Sequence, residues 1–404
     1  MIRRLDRYLR ALEPHFKEGG RWTRWHPLYE AVDSFLVGSR RTTATAPHVR
    51  DALDLKRIMI MVVIALIPCV IMAIWNTGYQ ANLALQSLGI DLPPGWRGAI
   101  LAASTGTSAT SLAANILHGS LYFLPIYLVC LVVGGIWEAL FHIIRGHEIS
   151  EALLVTSLIL PLTLPATIPL WQVAVGISFG VVFAKEVFGG VGRNFMNPAL
   201  VARAFLFFAY PAKMTGSEVW VAVDGFSSAT PLTVLASAPA GDPLASLGYS
   251  WWDAFIGTIP GSMGETSALA CLLGAILLLT TRIASWRIMA AILLGALGVS
   301  LIFWFFPAPD SPMHQVPPHW HLVLGGFALG LVFMATDPVT APHTEVGKWC
   351  YGLFIGAVTM VLRVLNPAFP EGVMMAILLG NICAPLFDYL VIQANIRRRM
   401  RRYG

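Results

Sequence analysis

The chain has 404 residues, of which 56% are hydrophobic and 12% are charged, and its mean hydropathy is +0.68. Soluble domains carry about 25% charged residues, so this composition excludes an ordinary soluble protein. The formal net charge is +5, and arginines at both ends supply much of it. Nucleic-acid binding would need a basic groove on a soluble domain. We therefore expect a polytopic helical membrane protein that has no nucleic-acid partner.

The N-terminal residues 1–56 are polar and charged, without the apolar core of a secretory signal. Helical spacing of i, i+3, i+4 and i+7 links Leu5, Tyr8, Leu9 and Leu12. Because arginines surround these residues, we expect an amphipathic helix on the inner membrane surface, in contact with lipid.

Apolar runs of roughly 17–25 residues follow, the length that a helix needs to cross ~30 Å of hydrocarbon. We predict ten spans, at 57–76, 120–143, 152–170, 171–187, 194–211, 267–282, 286–306, 320–336, 349–364 and 371–394. An even number of spans places both termini on one side, and their arginines predict that this side is the cytoplasm. Lys185 is then assigned to an inner loop, and the segment 212–266 faces outward.

A faint internal duplication relates the two halves of the chain. Pro161-Leu162-Thr163-Leu164-Pro165 precedes Asn197-Pro198-Ala199, and Pro338-Val339-Thr340-Ala341-Pro342 precedes Asn366-Pro367-Ala368. Five spans per half would turn the second half upside down, as in inverted-repeat transporters. Prolines inside spans break helices, so we predict that the third and eighth spans are half-helices. Chance similarity of two proline-rich span ends is the alternative interpretation.

The predicted fold class is an all-α polytopic membrane protein of about ten transmembrane helices. Two inverted five-helix repeats with broken half-helices would give an architecture like that of urea transporters. The predicted organisation is a cytoplasmic segment at 1–56, a first repeat at 57–211, an outer loop at 212–266, a second repeat at 267–394 and a basic cytoplasmic tail at 395–404.

Ionisable residues inside apolar runs are candidates for function, since a buried charge costs at least ~2.5–3.5 kcal/mol on insertion scales. Arg203 is expected to pair with an acid as a buried strut. Glu138 and Asp388 offer hard oxygen ligands that suit a transient Na+.

Two loops carry candidate cofactor residues. The outer loop contains Asp224-Gly225-Phe226-Ser227-Ser228-Ala229-Thr230, which by itself also suits a turn or helix cap. The loop from Gly189 to Ala199 lacks the strand and lysine of a phosphate loop. It is either a tight turn or a backbone that approaches a planar ligand, with amides from Asn194 and Asn197.

These two loops, together with most of the rest of the chain, resemble the B subunit of the Na+-translocating NADH:quinone reductases. That family includes the related Rnf membrane subunit. The outer loop is similar to Asp-x-x-Ser/Thr-Gly-Ala-Thr, with Ser228 where glycine is usual. The resemblance implies FMN joined covalently to Thr230 through a phosphoester by an external flavin transferase, beside Asp224, Ser227 and Ala229. It implies a riboflavin pocket at Gly192, Arg193, Asn194 and Asn197. It assigns ubiquinone to Gly134, Gly135, Glu138, Trp25 and Tyr29, and transient Na+ to Glu138 and Asp388.

The resemblance implies a multi-pass inner-membrane subunit of a bacterial Na+-pumping NADH:ubiquinone oxidoreductase. Electrons would pass from FMN through riboflavin to ubiquinone, coupled to Na+ translocation. The implied partners belong to a six-subunit complex, including a periplasmic-facing FMN subunit and a cytoplasmic NADH-oxidising FAD/iron–sulfur subunit. An Rnf-type electron-transport subunit and a urea-like solute channel stay open as alternatives, although the long N-terminal extension favours the quinone reductase.

Overall fold

All regular secondary structure is helical in the part of the chain that a computed structural model describes. That part is residues 11–16, 21–22, 25, 29, 55–145, 152–215, 219–223, 226, 228–239, 243–308, 311–366 and 369–403, and it contains no strand. The helices from residue 55 onward are α1 Leu55–Leu88, α2 Trp96–Ala103, α3 Leu112–Arg145, α4 Ala152–Leu162, α5 Leu170–Val181, α6 Pro198–Ala209, α7 Pro211–Met214, α8 Pro231–Ser237, α9 Trp251–Ile256, α10 Ala268–Thr280, α11 Trp286–Phe305, α12 Phe327–Leu329, α13 Glu345–Leu365 and α14 Val373–Tyr403. The predicted all-α class is confirmed over these residues.

Five of these helices, α1, α3, α11, α13 and α14, are long and apolar enough to cross a membrane. The third and eighth predicted spans contain the short helices α4 and α12, as expected of broken spans. The fourth contains α5 and the helical turn Val182–Glu186, which together run close to its predicted length, whereas the fifth and sixth contain α6 and α10, which are shorter than predicted. Proline is the physical reason at α4, which ends before Pro165, and at α6, which begins at Pro198. The inverted relation of the two halves stays a prediction.

The broken end of α4 is completed by backbone from the second half of the chain. The N–H of Met263 donates to the carbonyl of Leu164 at 3.2 Å, and the N–H of Gly264 donates to that of Leu162 at 2.7 Å. A side chain at Gly264 would collide with Leu162. These hydrogen bonds pair carbonyls that the end of the helix leaves free. Backbone that is not helical at membrane depth needs such partners.

Two π turns extend short helices. Val182–Glu186 continues α5, and Gly330–Met334 continues α12. A π turn inserts a residue into the helical register, and such turns often occur at functional sites. The first one buries Ala184, Lys185 and Glu186 in succession, which regular α-helical spacing on a lipid-facing helix does not produce.

Arg203 joins three separate parts of the fold. Its guanidinium lies 3.3 Å from Glu265, just before α10, and 2.6 Å from Glu371, just before α14. Arg203 itself lies on α6 and is only 6% exposed. The prediction of a buried strut is confirmed, and the structure identifies two acidic partners.

Close packing of α1 on α3 depends on small residues. A Cβ atom at Gly119 would meet the carbonyl oxygen of Ile74, and one at Gly78 would meet that of Asn115. Small residues let membrane helices approach closely in this way. We expect Gly119→Leu to lower the thermal midpoint of the detergent-solubilised protein, because overpacking costs about 1–3 kcal/mol. Gly298→Leu is the matched control, since a Cβ at exposed Gly298 meets no atom within 4 Å; equal losses in both variants would contradict the packing argument.

Candidate functional site

One candidate site is a pocket with about 730 Å³ of space between atoms, part of it open to solvent, here called the inner cavity. Its apolar walls come from α1, α4 and the end of α10. Its polar lining includes Thr156, Lys185, Asn194, Asn197, Thr336 and Asp337. Apolar walls with a few polar groups are typical of sites for small organic ligands. The lining therefore fits a planar ring system that has hydrogen-bonding edges.

The glycine-rich loop positions the two asparagines of this cavity. Gly189, Gly190 and Gly192 have φ values of 112°, 92° and 85°, which favour glycine because it has no Cβ. Asn197 caps α6: its Oδ1 accepts from the N–H of Ala199 at 3.0 Å, which leaves its NH2 group to donate to a ligand. Gly192 and Arg193 lie on the exposed side of the loop, whereas Asn194 and Asn197 line the cavity.

Lys185 separates the inner cavity from Glu138. The Lys185 Nζ makes a close ion pair with Glu138 Oε1 and lies 3.9 Å from Glu186 Oε1. All three side chains are at most 3% exposed. The assignment of Lys185 to an inner loop is therefore wrong, because the π turn directs its side chain into the protein. The same contact gives Glu138 a buried cationic partner.

Two buried carboxylate oxygens of this cluster have no hydrogen-bond partner. They are Glu138 Oε2 and Glu186 Oε1. Arg145 also contacts Glu186. Its Nη1 lies 3.6 Å from Glu186 Oε2 and donates a hydrogen bond to the Glu186 backbone carbonyl at 2.6 Å. Unsatisfied buried acceptors cost free energy, so such atoms in a native structure call for a functional explanation.

Gly134 and Gly135 lie on α3 one turn before Glu138. A Cβ at Gly134 would come within 2.8 Å of the Leu153 side chain, and one at Gly135 within 3.6 Å of it. Both glycines therefore lie against α4, and Gly134 shares the buried face of Glu138. Their proposed role at the quinone site stays a prediction.

The aromatic residues of the N-terminal segment pack on one another. Phe16 stacks on Tyr29 with ring centroids 4.9 Å apart and meets Trp22 edge-on at 5.6 Å. Trp25 is 52% exposed. Leu5, Tyr8 and Leu9 of the predicted surface helix lie outside the described residues, and the quinone role of Trp25 and Tyr29 stays a prediction.

Asp388 holds the start of α13. Its carboxylate accepts from the backbone N–H groups of His343 at 2.7 Å and Thr344 at 2.9 Å, and from the Thr344 hydroxyl at 2.5 Å. These bonds anchor α14 to the N-terminus of α13. Its predicted contact with transient Na+ would have to compete with these three donors.

Thr230 lies in a second, smaller site, here called the outer pocket. It has a volume of about 290 Å³, and Ser262, Glu265, Thr266 and Glu371 also line it. Thr230 caps α8 and is 6% exposed, with its Oγ1 2.9 Å from the hydroxyl of Thr233. Ala229 is half-buried, while Asp224 and Ser227 lie outside the described residues. Attachment of a flavin phosphate to Thr230 stays a prediction.

The two sites lie at opposite ends of α10. Thr266, just before α10, lines the outer pocket, and Leu278, near its end, lines the inner cavity. A helical rise of 1.5 Å per residue separates these positions by about 18 Å. The chain therefore carries two candidate sites that are offset along its short central helix.

A family model described as the NQR2, RnfD, RnfE family matches residues 42–397. The chain belongs to this family. Proteins named as the B subunit of Na(+)-translocating NADH-quinone reductase are similar to it over nearly their whole length. The relative from Pseudomonas paraeruginosa (strain DSM 24068 / PA7) is 52% identical, over 99% of this chain and 100% of that protein. The relative from Azotobacter vinelandii (strain DJ / ATCC BAA-1303) is 53% identical, over 98% of each chain.

Membership in the family confirms the resemblance that the two loops indicated. With its five long apolar helices, the family member is a multi-pass membrane protein. Sequence reasoning missed Lys185, Glu186 and Glu265 as site residues. The available signal was a pair of adjacent opposite charges, Lys185 and Glu186, at the end of an apolar run.

Proposed function

We propose that the chain is the membrane subunit of a Na+-translocating NADH:ubiquinone oxidoreductase. In this proposal electrons pass from FMN on Thr230, through riboflavin in the inner cavity, to ubiquinone, and their passage drives Na+ across the membrane. Flavins supply the redox chemistry when bound, and the protein supplies position and electrostatics. Both termini would be cytoplasmic, with Thr230 on the outer face of the bacterial inner membrane.

One observation carries the proposal: the inner cavity places the predicted flavin residues beside the predicted sodium residue. Asn194 and Asn197 line it together with Lys185, and Lys185 forms an ion pair with Glu138. A redox site and an ion site that share one lysine can influence each other electrostatically.

The residues of each site have distinct roles in the proposal. In the inner cavity Asn194 and Asn197 would orient the ring by hydrogen bonding, and the apolar walls would exclude water. In the outer pocket Thr230 would act as a covalent tether, with the predicted neighbours Asp224, Ser227 and Ala229 around it. Glu138 and Asp388 would bind transient Na+, and Gly134, Gly135, Trp25 and Tyr29 would form the quinone site.

The partners follow from the same proposal. The chain would work in a six-subunit complex and receive electrons from a periplasmic-facing FMN subunit. Those electrons would originate in a cytoplasmic FAD/iron–sulfur subunit that oxidises NADH. A flavin transferase would load Thr230. The nearly full-length match to proteins named as the B subunit of the reductase favours this function over an Rnf-type protein or a solute channel.

The direct test is to purify the native complex, denature it and measure flavin in two fractions. We expect one flavin that stays on this chain, located by peptide mass at the Thr230 segment, and riboflavin released into solution. In proteoliposomes, ubiquinone reduction by NADH should drive Na+ uptake. A chain free of both flavins would refute the proposal and favour a solute channel.

Filling the inner cavity should remove only the released flavin. Val155 lines the cavity on α4, and its neighbour Leu154 does not belong to the lining. We expect Val155→Trp to lower the riboflavin content of the purified complex at least about tenfold, since one bulky ring occupies the space that the ligand needs. The covalent flavin should be unchanged, and Leu154→Trp should retain both. Full riboflavin content in Val155→Trp would place the ligand elsewhere.

A further inference from the structure

We propose that the position now held by the Lys185 ammonium, between Glu138 and Glu186, is a Na+ site that opens when negative charge enters the inner cavity. Lys185 would be the cation that moves between the two places. This inference rests on the proposed function, because it requires a redox-active ligand in the cavity. It names two residues, Lys185 and Glu186, that the resemblance did not assign.

The geometry of the cluster supports a cation exchange. The Lys185 Nζ makes a close ion pair with Glu138 Oε1 and lies 3.9 Å from Glu186 Oε1, so it occupies the space between two carboxylates. Each carboxylate is buried, and Glu138 Oε2 and Glu186 Oε1 have no hydrogen-bond partner. These oxygens are hard ligands of the kind that alkali and alkaline-earth cations prefer.

Charge balance favours the exchange. Lys185 also lines the inner cavity, and its ammonium is a point charge on a flexible four-carbon stem. A negative charge added in the cavity attracts Lys185, whose departure would leave Glu138 buried without a cation. Because an uncompensated buried charge is strongly unfavourable, a Na+ ion takes the place of the ammonium.

The cycle balances in electrons and ions. One electron would enter the inner cavity from the flavin proposed at Thr230, and one Na+ would bind between Glu138 and Glu186 at the same time. When the electron leaves toward quinone, Lys185 returns to Glu138 and displaces the Na+. Arg145, which lies 3.6 Å from Glu186 Oε2, keeps the second carboxylate in place throughout. The return of Lys185 thus links electron departure to Na+ release.

The test is a redox titration of the flavins in the purified complex at NaCl concentrations that differ tenfold, with KCl holding the ionic strength constant. Coupling of one Na+ to one electron predicts that one flavin midpoint rises by about 59 mV for each tenfold increase in Na+. Lys185→Met keeps the apolar stem but leaves Glu138 open to Na+ in both redox states. We therefore expect this variant to lose the Na+ dependence, whereas Arg287→Met, at an exposed ion pair, should retain it.

A Lys185→Met protein that retains the full Na+-dependent shift would overturn the inference, as would a flavin-loaded wild type with no shift. If that variant does not accumulate in the membrane, Lys185→Arg gives the answer. Arginine can bind a carboxylate through two parallel hydrogen bonds, so it should be harder for Na+ to displace than lysine. The Na+ concentration that gives half of the midpoint shift should therefore rise at least about tenfold. An unchanged concentration would overturn the inference. Absence of flavin from the wild type would instead refute the proposed function.

Discussion

Replacing Thr230 by alanine is expected to remove covalent flavin from the chain completely. The phosphoester that we propose needs a hydroxyl, and the alanine variant has none at this position. In-gel ultraviolet fluorescence and the intact mass of the denatured chain measure the result. Released riboflavin should be unaffected, because Asn194 and Asn197 of the inner cavity lie at the far end of α10.

The matched control for this prediction is Thr233→Ala. Thr233 has the same side chain, and its hydroxyl lies 2.9 Å from Thr230 Oγ1. We expect Thr233→Ala to keep the covalent flavin. Thr230→Ala also removes a helix cap at a cost of about 0.5–2 kcal/mol, so Thr230→Ser, which retains the cap, should fold like the wild type. Covalent flavin that persists in Thr230→Ala would show attachment at another residue.

Replacing Arg203 by methionine is expected to cause a larger loss of stability than any of the other substitutions. The substitution leaves Glu265 and Glu371 without their shared cation, and Glu265 is only 3% exposed. Removing one partner of a buried ion pair costs about 3–5 kcal/mol. Thermal unfolding of the purified chain in detergent should reveal this as a lowered midpoint.

An exposed ion pair provides the comparison for Arg203. Arg287 and Glu345 approach to 2.5 Å, but their side chains are 36% and 56% exposed. We expect Arg287→Met to cost no more than about 1 kcal/mol, as exposed ion pairs usually do. Adding Glu265→Gln and Glu371→Gln to Arg203→Met should restore part of the lost stability, since neither buried carboxylate then lacks the cation that Arg203 supplied. If the Arg203 and Arg287 variants unfold alike, burial does not determine the strength of the Arg203 bridge.

Segment-level patterns predict much of the fold. Apolar run length locates the five helices that are long and apolar enough to cross a membrane, and the cost of an isolated charge leads correctly to a paired Arg203. Proline positions predict that α4 is short. The same reasoning cannot predict the length of a broken helix, because its free carbonyls can be paired by backbone that is distant in sequence. The N–H groups of Met263 and Gly264 pair with the carbonyls of Leu164 and Leu162 in this way.

The site is less predictable because it depends on register and on contacts distant in sequence. Lys185 lies near the end of the predicted span 171–187, where its charge predicts a position at an inner loop, yet a π turn directs its side chain into the protein. Glu265 falls within the predicted outer loop, although it lies buried against Arg203. A helix cap is one interpretation of the loop at Thr230, and Thr230 does cap a helix, but the sequence does not predict that it does so from a buried position. Local patterns carry no information about such rotations or about partners distant in the chain.

The offset between the outer pocket and the inner cavity has an electrical consequence. With the orientation proposed above, an electron that travels inward and a Na+ ion that travels outward both make the cytoplasmic face more negative. With α10 along the membrane normal, the ~18 Å between the two sites would be about three fifths of a ~30 Å hydrocarbon layer. Moving one charge across the whole membrane against about 100 mV costs about 2.3 kcal/mol. Moving an electron over the distance between the two sites would therefore cost about 1.4 kcal/mol. Electron transfer within this chain would thus charge the membrane before any ion crosses it, and turnover would slow as the voltage rises.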